Sequence, residues 1–104
     1  MNQIERIEKM EENLNRAQQA VRKLEVAFSE YEEIQEAYKE LNDYYGSDLW
    51  MQDFEDDEAG KLPKDLKRGV LSEDAVYDLL AENHELTLRM LKLITNALEE
   101  KMLQ

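Results

Sequence analysis

All three glycines and the only proline of this 104-residue chain lie between Gly46 and Gly69, so both flanks are free of the residues that most strongly break a helix. The chain can turn sharply only in that middle segment. N-terminal to it, apolar and aromatic residues recur in steps of three and four: Ile4, Ile7, Met10, Leu14, Ala17, Val21, Leu24, Phe28, Tyr31, Ile34, Tyr38, Leu41 and Tyr45. That period belongs to a helix face rather than a strand. The steps alternate as a heptad from Ile7 to Tyr31, and two consecutive threes, Phe28 to Tyr31 to Ile34, then shift the phase as a stammer does. A long helix is predicted over about 2–43, roughly 63 Å at the usual rise and longer than a domain of this size is wide.

C-terminal to the turn segment, Ser72 is placed to N-cap a second long helix over about 73–103, with Glu73 and Asp74 in its first turn against the positive end of the dipole. Spacing at 100° puts Val76, Leu79, Leu86, Met90, Leu93 and Ala97 on a face about half the circumference wide, with Leu80, Leu91, Ile94 and Leu98 beside them. A two-stranded seam is narrower, so this helix is expected to touch more than one neighbour. Between the flanks, Ser47 and Gly60 bound a short helix over about 48–58, with Leu49, Trp50 and Phe54 on its inner side. Residues 60–71 then form an ordered loop held by Leu62, Leu66, Val70 and Leu71. The predicted fold class is all-α, a single domain over 1–104 of two long antiparallel helices plus a short middle helix. Apolar faces this extensive exceed what one copy covers, so an antiparallel or crossed homodimer is expected to complete a helical bundle.

Charge narrows the function classes. The chain carries 25 acidic and 13 basic residues, a net charge of -12, which repels phosphate backbones and anionic headgroups. No nucleic-acid and no membrane partner is expected. The absence of cysteine removes disulfides and thiolate metal sites. The N-terminal stretch "MNQIERIEKMEE" lacks the apolar core of a signal peptide, and no run approaches the length of a membrane span. A soluble cytoplasmic protein is expected.

The residues offer several candidate sites, each with a plainer structural explanation. Asp53, Glu55, Asp56, Asp57 and Glu58 put five carboxylates into "DFEDDE". As a calcium loop starting at Asp53 this fails, because Glu58 stands where glycine is needed and Lys64 where the bidentate glutamate is needed. The cluster reads as the solvated side of a short helix, close enough to Lys61, Lys64, Lys67 and Arg68 to be partly neutralised by them. Asn83 and Thr87 fall one turn apart near the centre of the last helix's apolar face, so both are expected to be buried, hydrogen-bonding across helices and fixing register. Tyr31, Tyr38 and Tyr45 recur at seven and form an aromatic stripe suited to an interface, with Tyr44 beside the last. His84, the only histidine, lies at the margin of the apolar face with no nucleophilic partner.

Glu32, Glu33 and Glu36 in "EEIQE" resemble the first half of the magnesium site of all-α nucleoside-triphosphate pyrophosphohydrolases. The resemblance implies a second helix bearing Glu-x-x-Asp. Here Glu40 and Asp43 have that spacing but lie on the same helix, Glu55 is followed by Glu58, and Asp53 with Asp56 is a poor substitute. A magnesium-dependent hydrolase using Glu32, Glu33, Glu36 and Asp53 is therefore the alternative reading, since magnesium needs oxygens that converge from opposing elements.

The stretch "LNDYYGSDLWMQDFEDDEAGKLPKDLKRGVLSEDAVYDLL" resembles a family of small acidic all-helical proteins of Gram-positive bacteria classed as a domain of unknown function, family 4298. Tyr44, Tyr45, Ser47, Trp50, Asp53, Gly60, Leu62, Pro63, Gly69, Val70, Leu71, Ser72, Glu73 and Asp74 carry the resemblance. It implies a bacterial helical protein and supplies no substrate, cofactor or catalytic residue. The expected function is a homo-oligomeric interaction or structural protein without cofactor, whose partner surface comprises Tyr44, Tyr45, Trp50, Asp53, Asp56 and Asp57. An acidic mimic of nucleic acid, occupying a basic protein's groove, is a third reading.

Overall fold

The computed structural model describes residues 1–100. They form four α-helices, α1 (Gln3–Glu33), α2 (Gln35–Tyr44), α3 (Asp48–Glu58) and α4 (Ala75–Glu99), with a 3-10 turn at Gly69–Leu71 before the last. No strand occurs among the described residues. The all-α class follows from the breaker-free flanks and the three-four periodicity. Residues 101–103, the expected end of the last helix, lie outside the described residues.

The chain divides into two compact units, Met1–Tyr38 and a second beginning at Lys39. The first consists of α1 and the start of α2. The Asn2 side chain caps α1, accepting from the Glu5 amide at 2.8 Å while its own amide donates to the Glu5 carboxylate at 2.8 Å. This is a side-chain variant of the capping box, and Glu5 also meets the positive end of the helix dipole. The single helix expected over 2–43 is interrupted at Ile34, which takes φ -89 and ψ 2. The interruption coincides with the doubled three-residue step from Phe28 to Tyr31 to Ile34, where the apolar phase shifts. Helical hydrogen bonds continue on either side, from Ile34 to Glu30 at 3.2 Å and from Tyr38 to Ile34 at 2.8 Å. The Gln35 side-chain Nε2 donates to the Tyr31 carbonyl at 2.9 Å across the interruption. No residue of α1 is buried.

The second unit holds the core. Gly46 takes φ 79 and Gly60 φ 71, the left-handed region that a Cβ disfavours. Gly46 turns the chain from α2 into α3, where the Ser47 hydroxyl accepts from the Trp50 amide at 3.2 Å and donates to the Tyr44 carbonyl at 2.6 Å. At the other end of α3, Gly60 donates to the Asp57 carbonyl and Lys61 to the Asp56 carbonyl, both at 3.0 Å, the paired bonds of a Schellman motif. At the start of α4, the Ser72 hydroxyl accepts from the Ala75 amide at 3.1 Å, so it closes the first turn as a cap would. Glu73 and Asp74, expected to be helical, form a turn instead. Regular helix begins two residues later than predicted because the 3-10 turn and the Ser72 hydroxyl bond absorb them first.

Among the described residues three apolar side chains are buried: Trp50 at 8% exposure, Leu71 at 6% and Val76 at 3%. They come from α3, the 3-10 turn and the first turn of α4, and that 3-10 turn is the common neighbour of both helices.

Candidate functional site

The side chains with the most specific geometry surround Trp50. Its indole stacks on Phe54 with centroids 5.3 Å apart and meets Tyr45 edge-on at 5.2 Å. These are the arrangements that the ring quadrupoles favour. The indole N–H donates to the Val70 carbonyl at 2.9 Å, tying α3 to the 3-10 turn. The Tyr45 hydroxyl donates to the Glu73 carbonyl at 3.2 Å, holding the turn that precedes α4. Trp50 is therefore an internal post, and it shapes the surface through the residues it positions.

Each of the three aspartates in this region has an identified contact. Asp53 accepts from the Tyr44 hydroxyl at 2.5 Å, and the carboxylate beside the phenol pushes the Tyr44 pKa up to about 12. The cause is chiefly that hydrogen bond, followed by burial and by charge repulsion between Asp53 and a phenolate. Asp57 forms an ion pair with the Arg68 guanidinium, which also donates to the Pro63 carbonyl at 2.6 Å. One planar cation thus clamps the loop back onto α3, a role suited to arginine rather than lysine. Asp56 lies 3.9 Å from Lys61, whose side chain is 70% exposed. "DFEDDE" is accordingly a helix face of two kinds: Asp53 and Asp57 are half-buried and bonded within the fold, while Glu55 and Glu58 are exposed.

Among the described residues no three His, Asp or Glu side chains are grouped as metal ligands. Glu32 and Glu33 close α1 and Glu36 lies in the first turn of α2, all three exposed. Asp53, the fourth carboxylate of the hydrolase alternative, carries the Tyr44 hydroxyl. A shallow hollow is lined by Phe54, Asp57, Arg68, Leu71, Ser72 and Glu73, among others. Its hydroxyl belongs to Ser72, which donates to the Gly69 carbonyl at 2.9 Å while capping Ala75, and its cation is committed to Asp57 and Pro63. These groups hold a loop shape, and none is paired as nucleophile and base.

Asn83 and Thr87 both lie on α4. Thr87 is exposed and donates to the Asn83 backbone carbonyl at 2.7 Å, one turn back on its own helix. Asn83 is half-buried. Within the chain, the threonine hydroxyl is thus satisfied locally, as helical threonines often are.

The Tyr44 to Asp74 cluster lies wholly within a span, residues 7–93, matched by a family described as Domain of unknown function (DUF4298). The chain belongs to the DUF4298 family. Its DUF4298 span runs from the first heptad of α1 well into α4, and so includes the interruption at Ile34, the capped α3 and the Trp50 post. No curated protein and no solved structure matches the chain. No helix among the described residues is long and apolar enough to cross a membrane.

The sequence groups Tyr44, Tyr45, Trp50, Asp53, Asp56 and Asp57 as one surface; all six lie in the second unit, and Trp50 is buried there rather than presented at the surface. The pairing of the acidic face with the basic run follows from their nearness in sequence, as Asp56 with Lys61 and Asp57 with Arg68 illustrate, whereas the bonds of Tyr44, Tyr45 and Trp50 do not. That the Val70 and Glu73 carbonyls receive Trp50 and Tyr45 has no signature in side-chain identity. The signal that was available is Arg68, the only arginine in a run of lysines and the only one able to bridge a carboxylate and a carbonyl in one plane.

Proposed function

We propose that this DUF4298 chain is a homo-oligomeric interaction or structural protein, in which a second copy completes a bundle of the long helices. The observation that carries the reading is the imbalance between enclosed and exposed apolar side chains. Among the described residues the buried apolar side chains are Trp50, Leu71 and Val76, whereas Ile7, Leu14, Val21 and Phe28 on α1 and Leu86, Leu93 and Leu98 on α4 are exposed. Contiguous apolar faces of this length mark association surfaces in soluble proteins. Burying them against a second copy removes them from water, and places Asn83 and the Thr87 hydroxyl where they can set register.

In this reading the Tyr44–Tyr45 turn and the acidic side of α3 face a second partner, a protein segment of basic character. Support comes from the fixed bonds of Tyr44, Tyr45, Asp53 and Asp57, which present the surface already ordered and reduce the entropy lost on binding. The magnesium-dependent hydrolase has no observation in its favour.

Sedimentation equilibrium of the full chain over a wide concentration range tests the oligomer. A dimer or larger species is expected in the low micromolar range. A monomer persisting at high micromolar concentration would overturn the reading.

A further inference from the structure

We propose that α1 pairs with α1 of a second copy in parallel and in register; this deepens the self-association proposed above and rests on it. The heptad from Ile7 to Tyr31 assigns Ile7, Leu14, Val21 and Phe28 to one line of the seam and Met10, Ala17, Leu24 and Tyr31 to the other. The four seam residues Ile7, Leu14, Val21 and Phe28 are exposed in the single chain. The two edges of the seam differ in charge. One edge carries Glu11, Gln18, Glu25 and Glu32. The other carries Arg6, Asn13, Ala20 and Ala27, and behind these mostly small residues stand Lys9, Arg16 and Lys23. Between the basic side chains the surface of α1 forms a shallow groove lined by Asn13, Arg16, Ala17, Gln19, Ala20 and Lys23.

A homodimer decides how those edges meet. In a parallel pair each edge faces the opposite edge of the other copy; in an antiparallel pair each faces itself. Parallel and in register, Glu11 of the second copy lies against Arg6 and Lys9. Gln18 of the second copy lies against Asn13 and Arg16, and Glu25 against Ala20 and Lys23, where the alanine floor lets a lysine reach it. The exception is Glu32, which falls near Glu30, at the end of the seam beside the Ile34 interruption. The antiparallel pair that sets Met10 opposite Leu24 puts Glu11 against Glu25 on the acidic edge, while on the other edge Arg6 meets Ala27 and Asn13 meets Ala20, so that no acidic residue reaches a basic one across the seam. Like charges juxtaposed across an interface select against that arrangement. The flanking charges thus favour a parallel α1 pair over an antiparallel one.

Because the chain has no cysteine, introduced thiols report unambiguously. Met10→Cys and Leu24→Cys are made in the full chain, equilibrated in a glutathione redox buffer alone and mixed, and resolved by mass. Each variant is expected to link to itself, with mixed links at least about tenfold rarer, since residues 14 positions apart on a helix are separated by about 21 Å. A predominance of mixed links, or a dimer by sedimentation that forms no links, would overturn the parallel pair. A monomer by sedimentation would instead overturn the self-association beneath it. Should either seam variant lose helicity by circular dichroism, Gln3→Cys at the exposed start of α1 takes its place, labelled in separate donor and acceptor pools. Efficient transfer on mixing supports parallel pairing. Transfer matching a separation of about 45 Å, the length of an antiparallel α1 pair, overturns it.

Discussion

Replacing Trp50 by alanine is the most informative perturbation of this fold. The indole is 8% exposed, so folding removes nearly its whole surface from water. About 200 Å² at about 25 cal/mol per Å² gives an upper bound of about 5 kcal/mol, upper because the unfolded chain already hides part of that area. The stacked and edge-on contacts with Phe54 and Tyr45 and the bond to the Val70 carbonyl are lost as well. The expected cost of Trp50→Ala is about 3 to 5 kcal/mol, the usual range for truncating an enclosed aromatic residue. Trp50→Phe keeps a ring in place but strands the carbonyl, and is expected to cost about 1 to 2 kcal/mol. Leu49, next in the chain but 67% exposed, is the control, and Leu49→Ala is expected to change stability by less than about 0.5 kcal/mol. Urea unfolding followed by circular dichroism measures all three without relying on the removed fluorophore. If Trp50→Ala costs no more than Leu49→Ala, the ring is not the post on which α3, the loop and the start of α4 are assembled.

Arg68→Lys is expected to cost about 1 to 2 kcal/mol, because a lysine cannot hold Asp57 and the Pro63 carbonyl in one plane; urea melts check this. Asp57→Asn is expected to cost a similar amount, about 1 to 2 kcal/mol, while Asp56→Asn stays within about 0.5 kcal/mol, since its lysine neighbour is largely solvated. Equal effects of the two asparagine variants would refute the division of the acidic face. Gly60→Ala is expected to cost about 1 to 2 kcal/mol for the left-handed backbone it must adopt, whereas Gly69→Ala, with a clear site and no positive φ, is expected to be neutral or slightly stabilising. Tyr44 binds its proton more tightly when folded, with a pKa of about 12 against 10.0 for the free group. Its contribution is therefore fully present below about pH 10 and is lost as the pH rises toward 12. Stability measured across that window is expected to fall more steeply for the wild type than for Tyr44→Phe, and parallel curves would refute the assignment.

The helices were legible wherever a local rule was sufficient. Ser47 capping α3 and Gly60 ending it are short-range chemistry, readable from residue type and spacing, and the heptad of α1 is a repeated pattern. The change of phase at Phe28, Tyr31 and Ile34 was visible too, but periodicity alone cannot say whether a helix absorbs a slip by overwinding or by giving up one residue's helical geometry. Ile34 does the latter. At the start of α4 the same serine hydroxyl could have capped a helix directly or closed a turn over Glu73 and Asp74, and the preceding 3-10 turn selects the turn. The aromatic cluster was legible as composition and not as bonding, whereas the pairing of the acidic face with the basic run was readable from their nearness in sequence. Tyr44 reaching Asp53 depends on how α2 and α3 meet at Gly46, and the two carbonyl acceptors are backbone atoms common to every residue type.

The bond from Trp50 to Val70 spans 20 residues in a chain whose other backbone and capping bonds are nearly all local. Helices of this kind form in about a microsecond or less, whereas closing a 20-residue segment carries an entropy cost of about 2.7 kcal/mol before the ring can dock. Docking is thus expected to trail coil-to-helix conversion in a refolding experiment. The chain contains a single tryptophan, so its fluorescence follows that late event with no added label, while far-ultraviolet circular dichroism follows the early one. The buried indole makes this second unit its own clock, with a time gap between the two signals that measures how fast the loop finds α3.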